Sequence, residues 1–159
     1  MNIPVRWIVT AAILFFSFGG QSYLFQKLST DVPQKITVPD GGKELVSDIQ
    51  PLLSKITPGD RAYLRDLYLA VGTVLERDAM NAEPVISTTG KFREMHQKTL
   101  ELAIDRKDIG RVPGLGQAID KTFERAAGLE ESRVDDEKRA QLIAGCTALA
   151  WAFQINKDE

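Results

Sequence analysis

Cysteine and histidine each occur once in the 159 residues, as Cys146 and His96. One cysteine excludes an intramolecular disulfide framework, a cysteine-pair zinc site and the C-x-x-C-H haem attachment. One histidine excludes every multi-histidine metal site. Charge of either sign is nearly balanced: 20 Lys plus Arg against 22 Asp plus Glu give a net charge of -2, without the basic excess a nucleic-acid binder would show. The balance is equally unlike an acidic disordered tail. What is present, 43% hydrophobic and 26% charged residues, is globular composition, and the length suits one ordinary domain.

The charges are absent altogether from one place. Between Arg6 and Lys27 the twenty residues Trp7 to Gln26 carry none. As a helix such a stretch is about 30 Å long, the thickness of a bilayer's hydrocarbon core. Trp7, Ile13, Phe15, Phe16 and Phe25 are its main apolar anchors, with Trp7 and Tyr23 near the two ends, where amphipathic rings favour the headgroup layer. Residues 1–26 are therefore expected to be a transmembrane signal-anchor, touching the lipid bilayer through residues 7–26. Arg6 would stay on the cytoplasmic side and residues 27–159 would lie outside the cytoplasm. A cleaved signal peptide is the alternative. Gly20-Gln21-Ser22 offers small residues at the cleavage positions, so cutting near Ser22 would release a secreted protein. No cysteine follows the segment to serve as a lipoprotein attachment site.

Residues 27–42 read as a linker, because Ser29 to Gly42 holds two prolines, two glycines and no helical period. A short edge strand around Lys35–Val38 has no evident partner strand. From residue 43 to 156 the apolar period is helical, and the expected architecture is all-α, a compact bundle of about five helices ahead of the tail 157–159. Leu45, Ile49, Leu52, Leu53 and Ile56 share a face, interrupted by Pro51, which predicts a kink or two short pieces. Thr57-Pro58-Gly59-Asp60 is a helix start, with Thr57 as N-cap and Pro58 at the first helical position. The helix it opens, to about Met80, is apolar over more than half its circumference and is expected to be central.

Thr88 or Thr89 caps a further helix to about Ile104. Another runs from near Gly114 to Ala126, with Gly128 as its left-handed C-cap. Ser132 and Asp135 form a second capping box for the last helix, which extends to about Ile155. Ala140 to Ile155 is uncharged too, but sixteen residues containing Gln141, Thr147 and Gln154 make a poor span, and a core helix is expected. Its small-residue row of Ala140, Ala144, Ala148 and Ala152 would admit a close neighbour.

Chemistry is thin. His96 borders an apolar face and could serve as a general base only if other helices supplied its partners. Cys146 sits among apolar neighbours, unlike a reactive thiolate. The run Gly110 to Gly116 meets neither phosphate-loop nor dinucleotide-loop spacing. The acids Glu130, Glu131, Asp135, Asp136 and Glu137 lack EF-hand order. Glu131-Ser132 and Gly114-Leu115-Gly116-Gln117 resemble fragments of lytic transglycosylases, in reversed order and without the expected flanking residues. The resemblance implies only a glycosidase-like alternative.

The expectation is thus a non-enzymatic, membrane-tethered accessory or assembly subunit without metal or cofactor. It would act on a protein partner that the sequence does not identify, with Ala144, Ala148, Ala152 and Trp151 as the contact surface and no role for nucleic acid. The alternative is a secreted or anchored hydrolase using Glu131 or His96 as acid or base. A small-ligand carrier would place its pocket between the Pro51 segment and the central helix.

Overall fold

The computed structural model of the chain describes residues 36–38, 40–104 and 109–154. The expected span with Trp7, Ile13, Phe15, Phe16 and Phe25, the cleavage position at Ser22, most of the linker and the tail 157–159 lie outside the described residues. Within them the fold is all-helical and bundle-like, with five α-helices: α1 (Gly42–Leu45), α2 (Pro58–Asp78), α3 (Thr89–Ile104), α4 (Leu115–Ala127) and α5 (Asp136–Phe153). Two 3-10 turns, Gln50–Lys55 and Ile109–Arg111, lie in the connections.

The segment around Pro51 splits as its chemistry requires. Proline has no N–H to give to the carbonyl four residues back. The chain therefore makes four-residue α1 and then a 3-10 turn, with Leu52 N–H on the Ile49 carbonyl at 2.9 Å. The apolar spacing still serves the core: Val46 and Ile49 are fully buried and Ile56 nearly so. Asp48 ties this segment to α4 through Arg125 at 2.6 Å.

At the start of α2 the Thr57 hydroxyl accepts from the Asp60 N–H at 3.2 Å, with Pro58 in the first turn. Leu64, Leu67, Tyr68, Val71 and Leu75 are buried along one face. Helix α5 runs antiparallel to α2. Arg61 Nη2 near one end of the pair donates to the Gln154 carbonyl at 3.0 Å, and Arg139 Nη1 near the other donates to the Leu75 carbonyl at 3.3 Å. The two lie close at Gly72, where a Cβ would stand in ordinary van der Waals contact with Cys146 Cβ, 3.5 Å away. Helix α3 is antiparallel to α2, with Tyr63 Oη donating to the Leu102 carbonyl, and to α4, with Phe92 beside Phe123. Among the described residues no helix is long and apolar enough to cross a membrane; α5 is a core helix, with Leu142, Cys146, Leu149 and Phe153 buried.

Three helix boundaries refine the expectations. Thr88, not Thr89, caps α3: its hydroxyl accepts from Lys91 N–H at 3.2 Å, while Thr89 is fully buried. Asp135 alone caps α5, accepting from Lys138 N–H at 2.8 Å. Ser132 cannot begin the helix because its N–H and carbonyl are engaged with Thr89, and Val134 N–H donates to the Ser87 carbonyl at 2.9 Å. Gly128 takes the expected positive φ of 63°, but its ψ of 138° is extended, so the chain leaves α4 without a left-handed turn. Helix α5 ends at Phe153, with Gln154 in an extended conformation.

Candidate functional site

The proposed contact row sits largely inside the fold. Ala148 is fully buried and Ala152 nearly so, whereas Ala144 is half-buried and Trp151 packs half-buried against the core. A small-residue stripe permits close approach by any helix, and in α5 the chain's own interior takes up Ala148 and Ala152. Of the row, Ala144 and Trp151 keep part of their surface open to solvent.

His96 is 5% exposed. Its Nε2 lies 2.6 Å from Asp120 Oδ1, a contact that joins α3 to α4, and Asp120 itself is half-exposed. The ring is stacked on Phe92, 5.9 Å between centroids and 3° between planes, and meets Phe123 edge-on at 5.0 Å. A histidine–carboxylate pair can orient a tautomer and hold a proton. As a general base, however, the ring must reach a substrate or nucleophile, and here two phenyl faces enclose it. Glu131, the other acid–base candidate, lies in the loop before α5 with its side chain 73% exposed, 4.0 Å from Arg93. Among the described residues no contact joins His96 to Glu131, and no group of three or more His, Cys, Asp or Glu is arranged to hold a metal ion.

The glycine-rich run forms a 3-10 turn and the entry to α4, with Gly114 at φ 81° as its N-cap. Beside it lies a cavity of about 290 Å³ lined chiefly by Leu100, Ala103, Ile109, Val112, Leu115 and Ile119. This cavity lies between α3 and α4, not beside the Pro51 segment where a ligand pocket was expected.

Cys146 is buried, and burial, helped by the negative charge of Glu76, holds its thiol protonated well above its ordinary value of 9.0. Burial likewise raises the phenol of Tyr68, with Cys146 and Asp120 adding to the effect. Above pH 9.0 the unfolded thiol loses its proton while the folded one keeps it. Folding then binds a proton, so stability falls as pH rises, by about 1.4 kcal/mol per pH unit from this thiol. Urea unfolding at pH 8, 9 and 10 is expected to show that decline in the native chain and a shallower one in Cys146→Ala. Equal slopes would refute the buried-thiol account.

Two polar groupings escaped the sequence reading. The first is Asp78 with Arg139, both buried, paired at 3.3 Å across the α2–α5 interface. The second is Gln154. Its Oε1 accepts from Ile36 N–H at 3.0 Å and its Nε2 donates to the Ile36 carbonyl at 2.8 Å, so one planar amide holds both backbone groups of a linker residue 118 positions away. The only signal in the sequence was a glutamine near the end of the charge-free run Ala140 to Ile155. The comparisons with known proteins return nothing on which to rest a function: no protein-family model matches the chain, and neither a curated protein nor a solved structure matches it.

Proposed function

We propose that the chain is a membrane-tethered, non-enzymatic helical domain facing away from the cytoplasm, an accessory or assembly subunit that acts by protein contact. The observation that carries this reading is the charge-free stretch Trp7 to Gln26, of bilayer length, ahead of a helical bundle. In support, the bundle encloses its only imidazole between Phe92 and Phe123 and leaves Glu131 in an open loop. The protein partner is expected to meet the bundle on its solvent side, with Ala144 and Trp151 as the first residues to test.

The test is fractionation with protease protection. Full-length protein is expected in the membrane pellet, resistant to alkaline extraction, and its domain is expected to be digested when protease is added on the non-cytoplasmic side of the intact membrane. Recovery in the soluble fraction without detergent, or protection of the domain from that protease, would overturn the topology. N-terminal sequencing separates the two export routes, since Tyr23 as first residue means cleavage after Ser22. Site-specific photocrosslinking in intact cells from positions 144 and 151 tests the contact role. A discrete crosslinked protein supports it, and none from either position removes this surface.

A second reading, a glycosidase-like hydrolase using His96 or Glu131, has the His96–Asp120 contact in its favour. Loss of a wall-cleaving activity in both Asp120→Asn and Glu131→Gln would favour it.

A further inference from the structure

We propose that Ile36–Val38 is a releasable strap: the Gln154 amide docks the linker on the end of the bundle and so sets how far the bundle stands from its membrane segment. The inference rests on the membrane reading of residues 7–26.

The seat is built from the two central helices. Gln154 directly follows α5; it is 6% exposed and its N–H still donates to the Ala150 carbonyl at 3.0 Å. Its own carbonyl accepts from Arg61 Nη2, in the first turns of α2. The backbone of Gln154 is therefore held by α5 and α2 together, and its side-chain amide meets the linker. It engages the N–H and the carbonyl of the same residue, Ile36, as a neighbouring strand does at one rung of an antiparallel ladder. Ile36 and Val38 are half-buried and Thr37 is exposed, the alternation of an extended segment lying on a surface.

The attachment is strong enough to order the segment and weak enough to open. It consists of two neutral hydrogen bonds and two half-buried side chains, which places it at the low end of local opening energies. Between the strap and α1, Gly41 takes φ 73°, a conformation open to glycine at no steric cost. This is a natural hinge. With the strap docked, the chain from Gln26 reaches the bundle at Ile36; with it released, the first attachment is Gly42. At roughly 3.3–3.6 Å per extended residue the maximum reach grows from about 35 Å to about 55 Å. Docked, the bundle is confined near the membrane; released, it samples partners about 20 Å further out.

The experiment uses full-length protein in phosphatidylcholine–phosphatidylglycerol vesicles and, in parallel, in mild detergent. Gln154→Leu removes both hydrogen bonds. Ile36→Pro removes the strap's donor without touching α5, and so keeps the test valid if the first variant misfolds. Exchange of the Ile36 amide, the one that Gln154 Oε1 accepts from, is expected to accelerate roughly tenfold to a hundredfold in Gln154→Leu, and a nitroxide on Thr37→Cys, an exposed position, is expected to gain mobility in both variants, with the α2 and α5 amides unchanged. A dye on Glu83→Cys, with Cys146 buried and left in place, reports distance to dye-labelled lipid; the variants are expected to show a longer and broader distance. Unchanged exchange at Ile36 in Gln154→Leu, or unchanged label mobility at position 37 in both variants, in detergent overturns the strap, with or without a bilayer. Accelerated exchange with no change in distance overturns its control of reach. Failure of the native chain to float with vesicles overturns the membrane reading instead, and the detergent measurement keeps that failure distinct from failure of the strap.

Discussion

Replacing Arg139 with leucine is expected to lower the unfolding free energy of the bundle by about 3–5 kcal/mol, because it leaves a carboxylate buried without its counter-charge. Both partners are withdrawn from water, Arg139 at 5% and Asp78 at 7% exposure. The guanidinium donates to the Ile86 carbonyl at 2.7 Å and to the Leu75 carbonyl and Asp78 Oδ2 at 3.3 Å each. Asp78 in turn accepts from the Val85 and Ile86 N–H groups, both at 2.8 Å. An acid in the last turn of α2 opposes the helix dipole, so its position is explained by its grip on the loop to α3 and by the cation opposite.

Removing the cation therefore costs more than the pair itself contributes: it frees two backbone carbonyls and strands a charge. Asp78→Ala is expected to cost a similar amount, by leaving the buried Ile86 amide, the part-buried Val85 amide and the guanidinium without their acceptor. The two losses share one network, so the double variant is expected to fall short of their sum by about 1–3 kcal/mol. Urea unfolding of the full-length protein in mild detergent, followed by circular dichroism, measures all three. A loss below about 1 kcal/mol for Arg139→Leu would place the pair with surface ion pairs and contradict its burial.

That network shows where sequence reading reaches its limit. Thr57-Pro58-Gly59-Asp60 was legible because capping is local: a hydroxyl, a fixed φ and a free N–H lie within four residues. The core faces of α2 and α3 were legible because burial imposes the helical period. The Pro51 segment, whose backbone is mostly not α-helical, was legible in part: of its expected face Ile49 and Ile56 are buried and Leu45, Leu52 and Leu53 only half-buried, while Val46, outside that face, takes a core place. Nothing local marks Asp78 for Arg139, His96 for Asp120, or Gln154 for Ile36, because each pair exists only once helices are docked. The alanines of α5 were ambiguous for a related reason: small size allows close packing without saying whether the neighbour is in the same chain. Ser132 misled as a cap because its spacing to Asp135 fits a capping box, while the cross-loop bonds that occupy its backbone come from Thr89, 43 positions earlier.

Phe123→Ala is the second large loss expected, again about 3–5 kcal/mol, from transfer and cavity terms together. The ring is fully buried and meets three elements besides its own helix: Phe92 edge-on at 5.1 Å and His96 at 5.0 Å on α3, Tyr68 at 6.2 Å on α2, and the glycine of α5 at position 145. That last contact gives the prediction a sign that a general core defect would not reproduce. A Cβ on Gly145 would stand 3.1 Å from Phe123 Cδ1 and 3.2 Å from Cε1, so Gly145→Ala in the native chain must push the ring or part the helices. Overpacking of this kind costs about 1–3 kcal/mol, against a gain of about 0.5–1 kcal/mol from replacing a mid-helix glycine. The clash is expected to win, and the single variant to be destabilised. With Phe123 already cut to alanine, the two tightest contacts are gone, Ala126 Cβ at 3.4 Å stays at the edge of ordinary contact, and the helix gain and some cavity filling prevail. Gly145→Ala is then expected to stabilise by about 1 kcal/mol. A double-mutant cycle from urea midpoints reads this reversal directly. If Gly145→Ala carries the same sign in both backgrounds, α4 and α5 are not in contact through this ring, and the packing assigned to the centre of the bundle is wrong.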